Sequence, residues 1–200
     1  MAIIFYIALL RNTPMAKIVE DKVILGIDPG TSVMGYGIIQ VKNRKLSLVA
    51  MGVIHLAKLG DHQIRLKRIF DRTIHLIEEY KPDEMAIEAQ FFGKNVQSML
   101  KLGRAQGVAI AASLSKNIPV EEYLPKKVKK SVTGRGQATK EQVAAMLKTI
   151  VPYEVDPKYL DATDALAVAV CHYFQSGSPT KTKGVTGWDA FLKQNPDRQA

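Results

Sequence analysis

The sequence predicts an α/β fold: a five-stranded mixed sheet flanked by helices. Two observations carry that expectation. Three β-rich runs come first, joined by short turns; after them strand-like and helix-like segments alternate. The chain of 200 residues, 46% hydrophobic, suffices for one sizeable core.

"KVILGID" (22–28) is a continuous apolar run that stops at the turn sequence "DPGT", as a buried strand does. "VMGYGIIQV" and "KLSLVAMGVIHL" follow as two more strands, with "KNRK" between them as a polar hairpin turn. From Asp61 to Tyr80 the period changes: Leu66, Ile69, Phe70, Ile74, Ile77 and Tyr80 recur at helical spacing, and Pro82 closes the segment. "DEMAIEA" (83–89) is a short strand ending in an acid. Asn95 to Lys116 reads as a second helix, and its Gly103 and Gly107, one turn apart among alanines, suit close packing against a neighbouring element. "IPVEEY" (118–123) is the fifth strand, followed by the basic segment "PKKVKKSVTGRGQATK". Thr139 and Gln142 form a capping box for a helix running to about Ile150, and Asp156 with Pro157 cap a last helix.

Composition narrows the partners. A formal charge of +9, with a pI near 9.6, favours an anionic partner, nucleic acid first and an acidic membrane surface second. Cys171 is the only cysteine, so no intrachain disulfide forms, which fits a reducing, cytoplasmic setting. The apolar run Ala2–Leu10 is shorter than the ~20 residues of a membrane span and lacks signal-peptide flanks. The expected organisation is an extension over 1–22, with Met15 as an alternative start, a folded domain over 23–175, and a basic tail over 176–200 in which Trp188 and Phe191 offer docking points.

The acids carry the chemistry. The segment "YLDATDALAVAV" is apolar nearly all round, as a buried helix is, yet it bears Asp161 and Asp164 three residues apart, ~5–6 Å between Cβ atoms. The dipole at a helix N-terminus offsets about 1 kcal/mol, while burial of an unpaired carboxylate costs several times that. Two close carboxylates raise one pKa or recruit a cation, and magnesium takes such oxygen ligands. Asp28 and Glu88 end two strands. Each alone has an ordinary structural reading, a turn former and a solvated strand end respectively. A mixed sheet can bring all four acids together, and two ions ~4 Å apart catalyse in-line phosphoryl displacement. The residues themselves therefore point to a metal-dependent nuclease.

Four segments, "ILGIDPGTSVMGYGII", "AIEAQFFGKNVQSMLKLGRAQGVA", "VKKSVTGRGQATKEQV" and "DATDALAVAV", resemble the RuvC crossover-junction endodeoxyribonucleases, in that order and at similar spacing, over roughly 23–175. The resemblance implies a ribonuclease H-like fold, a homodimer, and Mg2+-dependent symmetric nicking of four-way DNA junctions alongside the RuvAB branch-migration complex. It implies that Asp28, Glu88, Asp161 and Asp164 are the catalytic, metal-holding acids. It places Lys129 and Lys140 near the scissile strand, Phe91 as an aromatic wedge at the junction centre, and Lys94 among the DNA contacts. Residues 1–14 and Arg135, between Gly134 and Gly136, depart from the family pattern. Two rivals stand beside this reading: a junction-binding protein without catalysis, and an actin-like ATP-binding module suggested by "GIDPGT", for which 200 residues leave no second lobe.

Overall fold

The computed structural model describes residues 21–90, 95–153 and 160–176. Five strands, β1 (Lys22–Asp28), β2 (Val33–Lys42), β3 (Lys45–His55), β4 (Glu84–Glu88) and β5 (Val120–Tyr123), form one sheet in the order β3-β2-β1-β4-β5. The β1–β2 and β2–β3 pairs are antiparallel, whereas β1–β4 and β4–β5 are parallel. The sheet is thus mixed and five-stranded, as the sequence pattern predicts. Asn43 and Arg44, both with positive φ, make the two-residue turn of the β2–β3 hairpin.

Helices cover both faces. On one side α1 (His62–Tyr80) and α2 (Val96–Ser115) pack on Leu25, Ile27, Met34, Ile38, Met85 and Ile87. On the other, α3 (Pro125–Thr133), α4 (Lys140–Ile150) and α5 (Leu160–Ser176) pack on Ile24, Ile39, Val41 and Ala86. Strand alternation sends residues 25, 27, 85 and 87 one way and 24, 26, 84 and 86 the other. Full burial of each large aliphatic side chain in these layers contributes about 1.5–3 kcal/mol.

The caps explain where helices start. Asp61 accepts from Ile64 N, Asn95 accepts from Ser98 N, and the Thr139–Gln142 capping box is present in both directions. The segment holding Asp156 and Pro157 lies outside the described residues, as do the extension before residue 21, the tail from 177, and Phe91 and Lys94.

Three features depart from the sequence reading. The basic segment after β5, to which the sequence pattern assigns no element, begins with a helix, α3. Pro125 opens it, Val128 and Val132 are buried one turn apart, and Gly134 at φ 75° closes it. In α1 the buried stripe runs through Ile69, Thr73, Leu76 and Ile77, while Phe70 is 39% exposed. Phe70 lies ~100° round the helix from Ile69, off the stripe, and Thr73 fits inside because its hydroxyl donates to Ile69 O at 2.8 Å. Gly103 and Gly107 have no close neighbour among the described residues: a Cβ at either would meet nothing within 4 Å there. The packing face of α2 is made of Ala105, Ala109 and Ala112 instead.

The tightest contact lies between α5 and the sheet. Gly26 on β1 and Gly35 and Gly37 on β2 form a lane without side chains, Gly26 opposite Gly37 and Gly35 opposite Asp28. The helix backbone sinks into it. A Cβ on Gly26 would stand 2.3 Å from Ala165 O, one on Gly35 2.0 Å from Asp161 O, and one on Gly37 2.7 Å from Leu166 Cα. Ala162, Ala165 and Ala169, all fully buried, let the helix come that close. The Gly26→Ala variant is expected to lose about 1–3 kcal/mol of stability through overpacking, read as a lower urea midpoint. An unchanged midpoint would contradict the close approach.

Candidate metal centre

Asp28 and Glu88 are the last residues of two adjacent parallel strands, so both carboxylates emerge at one end of the sheet. Both belong to the alternation class that faces α5. The first two turns of α5 cross that end and bring Asp161 and Asp164. Carboxylate oxygens of Asp28, Asp161 and Asp164 lie within 4.8 Å of one another. Glu88 stands outside that trio but lines, with Asp28 and Asp164, an open cleft of about 250 Å3. Asp28 and Asp164 are thus common to both groups, and Asp161 completes the trio without lining the cleft. Lys129 of α3, Lys140 of α4, Pro125, Val128, Val143 and Ala167 form the remaining walls.

The loop after Asp28 is pinned from outside. Ser32 O accepts from Leu56 N at 2.8 Å and Ala57 N at 2.9 Å. The Arg65 guanidinium donates to Thr31 O, Leu59 O and Ala57 O at 3.0–3.2 Å, locking the two loops together. Sequence reasoning missed Arg65, since on the helix pattern nothing separates it from Arg68 or Arg72.

Crowded carboxylates leave an electrostatic signature. Burial, then the neighbouring Glu88 and Asp164 charges, push the Asp28 carboxyl up to about 8 from an ordinary 3.8. Burial and Asp164 push Glu88 up to about 7, with Lys140 and Lys129 opposing. The Lys140 ammonium sits hydrogen-bonded to Asp164 and is held charged mainly by that bond. With its side chain more than half exposed, Lys140 is an internal counter-ion that remains free to turn toward an incoming anion. An all-oxygen donor set with surplus negative charge fits a hard divalent cation. Phe91 and Lys94, expected among the DNA contacts, lie outside the described residues.

A stability–pH relation follows. An acid whose pKa is raised in the folded state keeps its proton longer folded than unfolded, so its contribution falls as pH rises from about 4 to about 8. In EDTA, the Asp28→Asn variant is expected to gain stability over the unsubstituted chain at pH 8.5 and to show less of a gain at pH 5.5. Paired urea titrations check this; a gain that is the same at both pH values would contradict it.

Comparison with known proteins agrees with the fold. The family model described as crossover junction endodeoxyribonuclease RuvC matches residues 24–172. A protein of that description from Cytophaga hutchinsonii is 65% identical over 188 residues, covering 94% of this chain and 92% of its own. Another, from Christiangramia forsetii, is 56% identical over 188 residues, covering 94% of this chain and 98% of its own. Among solved structures, T. thermophilus RuvC in complex with Holliday junction substrate superposes with a TM-score of 0.73 at 32% identity, covering 78% of this chain and 95% of the other. With the ribonuclease H-like arrangement of strands and helices already in view, these matches settle the lineage: the chain belongs to the RuvC family of crossover junction endodeoxyribonucleases.

Proposed function

We propose that the chain is a structure-selective endonuclease that resolves four-way (Holliday) DNA junctions by paired, symmetric nicks in recombination and repair. The observation that carries this is the convergence of acids from β1, β4 and α5: Asp28, Glu88 and Asp164 line an open cleft walled in part by Lys129 and Lys140, and Asp161 lies with Asp28 and Asp164 beside it. A non-catalytic junction binder has no use for a group of acids that raises its own pKa values.

In this reading Asp28, Glu88, Asp161 and Asp164 would hold the divalent ions, Mg2+ with Mn2+ as a substitute. Bound there, the ions would supply the activation of water and the stabilisation of the departing 3′ oxygen in an in-line displacement. The chain's own residues do the rest. The glycine lane keeps the α5 acids close to Asp28. Lys129 of α3 and Lys140 of α4, both in the cleft wall, receive the phosphate and offset its charge as it turns over. Lys126 and Lys130, on the same helix α3, add basic charge beside that rim for a sugar–phosphate strand. Phe91 and Lys94 remain proposed contacts at the junction centre.

A homodimer belongs to this proposal, and the outer face of α2 supports it. Val96 is 65%, Leu100 51% and Leu114 55% exposed, and Gly103 and Gly107 between them leave room for a second backbone. Twofold symmetry would then place two clefts on opposite strands of a crossed junction. Action beside the RuvAB branch-migration complex and a cytoplasmic location complete the reading; among the described residues no helix is long and apolar enough to cross a membrane.

With Mg2+, a synthetic four-way junction is expected to be nicked in pairs while a linear duplex of the same sequence survives. Asp161→Asn is expected to abolish cleavage and retain junction binding; cleavage by that variant at the unsubstituted rate would overturn the assignment. Leu100→Glu is expected to give a monomer by sedimentation that no longer makes paired nicks; a stable dimer would move the interface elsewhere.

A further inference from the structure

The proposed chemistry leaves unused a second polar cluster at the far end of α5. The His172 ring is 7% exposed. Its Nδ1 lies 2.8 Å from the Tyr123 hydroxyl and its Nε2 2.7 Å from Glu84 Oε2. The same carboxylate accepts from Lys22 Nζ at 2.5 Å, and Lys22 also donates to Ser176 Oγ at 3.1 Å. The cluster therefore ties the C-terminal half of α5 to β1, β4 and β5. Burying such groups is costly unless they find partners, and each ring nitrogen has one. The His172 hydrogen bond and the Lys22 ammonium hold the Glu84 carboxyl down at about 2, so it is ionised throughout the neutral range.

The placement matches a ruler. Glu84 and Glu88 occupy the two ends of one face of β4, four residues or ~13 Å apart. On α5, Asp164 and His172 are eight residues or ~12 Å apart. The helix runs against the strand direction, so His172 meets Glu84 where Asp164 shares a cleft with Glu88. Between these two ends lies the lane of Gly26, Gly35 and Gly37 under an alanine-rich helix face. Such a surface fixes how near the helix lies but presents few ridges and grooves to stop it sliding along its axis.

We propose that His172 is a positioning residue for the metal centre: bonded to Glu84 and Tyr123, it sets the axial register of α5 on the sheet and thereby places Asp161 and Asp164 against Asp28 and Glu88. The inference rests on the reading of those acids as metal ligands. Because α5 is a single continuous helix, a shift at His172 is carried to the first two turns, where ligand distances tolerate only a few tenths of an ångström.

The test is Mn2+ binding to the full chain, measured by calorimetry without DNA, beside the Mg2+ dependence of junction cleavage. His172→Leu is expected to weaken Mn2+ binding about ten-fold and to raise the Mg2+ midpoint of cleavage in parallel. Junction binding in EDTA should stay unchanged. His172→Gln, whose amide can still donate to Glu84, should recover part of the affinity. A folded His172→Leu protein with a lowered melting temperature but unaltered Mn2+ affinity would show a purely structural role and overturn the proposal. Should that variant fail to fold, Tyr123→Phe decides, since it removes one hydroxyl: weaker Mn2+ binding supports the proposal and unchanged affinity overturns it. Absence of Mn2+ binding by the unsubstituted chain would remove the acid reading and this inference together. Normal binding by that chain with unaffected variants would remove this inference alone.

Discussion

The close approach of α5 to the sheet is the constraint on which the rest of the molecule depends. Helices usually rest on sheets through interdigitating side chains, which hold the two layers apart. Here three glycines on β1 and β2 withdraw those side chains, and the backbone of α5 comes within reach of the strands. Gly35, opposite Asp28, clears the space that Asp161's own carbonyl occupies. Without that clearance the aspartates of α5 would stand away from Asp28, and no common set of oxygens would form.

That geometry gathers negative charge where folding alone would avoid it. The cluster opposes its own ionisation, visible in the upward displacement of Asp28 and Glu88. Lys140, hydrogen-bonded to Asp164, relieves part of the strain from solvent. The opposite end of α5 is arranged the other way. There Glu84 is satisfied by His172 and Lys22, and its ionised form strengthens the structure. One helix thus joins an electrostatically satisfied end to an unsatisfied one, and the unsatisfied end is where a cation and a phosphate would be received.

Much of this was legible in the sequence. The first three strands announce themselves by β-rich runs bounded by turn residues, and α4 by its capping box. Asp161 and Asp164 stand out because two acids on an otherwise apolar helix need a compensating partner. Other features were hidden for physical reasons. The helix α3 is short, with only Val128 and Val132 buried among lysines, so its pattern is swamped by charge. Gly26, Gly35 and Gly37 read singly as weak points in strands; their common purpose emerges only from the register that aligns them beneath α5. Gly103 and Gly107 mislead in the opposite direction, since small residues mark close packing only when a neighbour is present, and among the described residues none is. His172 and Glu84 are 88 residues apart, and no local pattern links them.

The most direct test of the account is Mn2+ titration of a Gly35→Ala chain, whose added Cβ would collide with the backbone of Asp161 while altering no acidic side chain. The account requires secondary structure to persist and metal affinity to fall by more than about ten-fold. A folded Gly35→Ala protein that binds Mn2+ as tightly as the unsubstituted chain would show that the acids meet without the help of the lane.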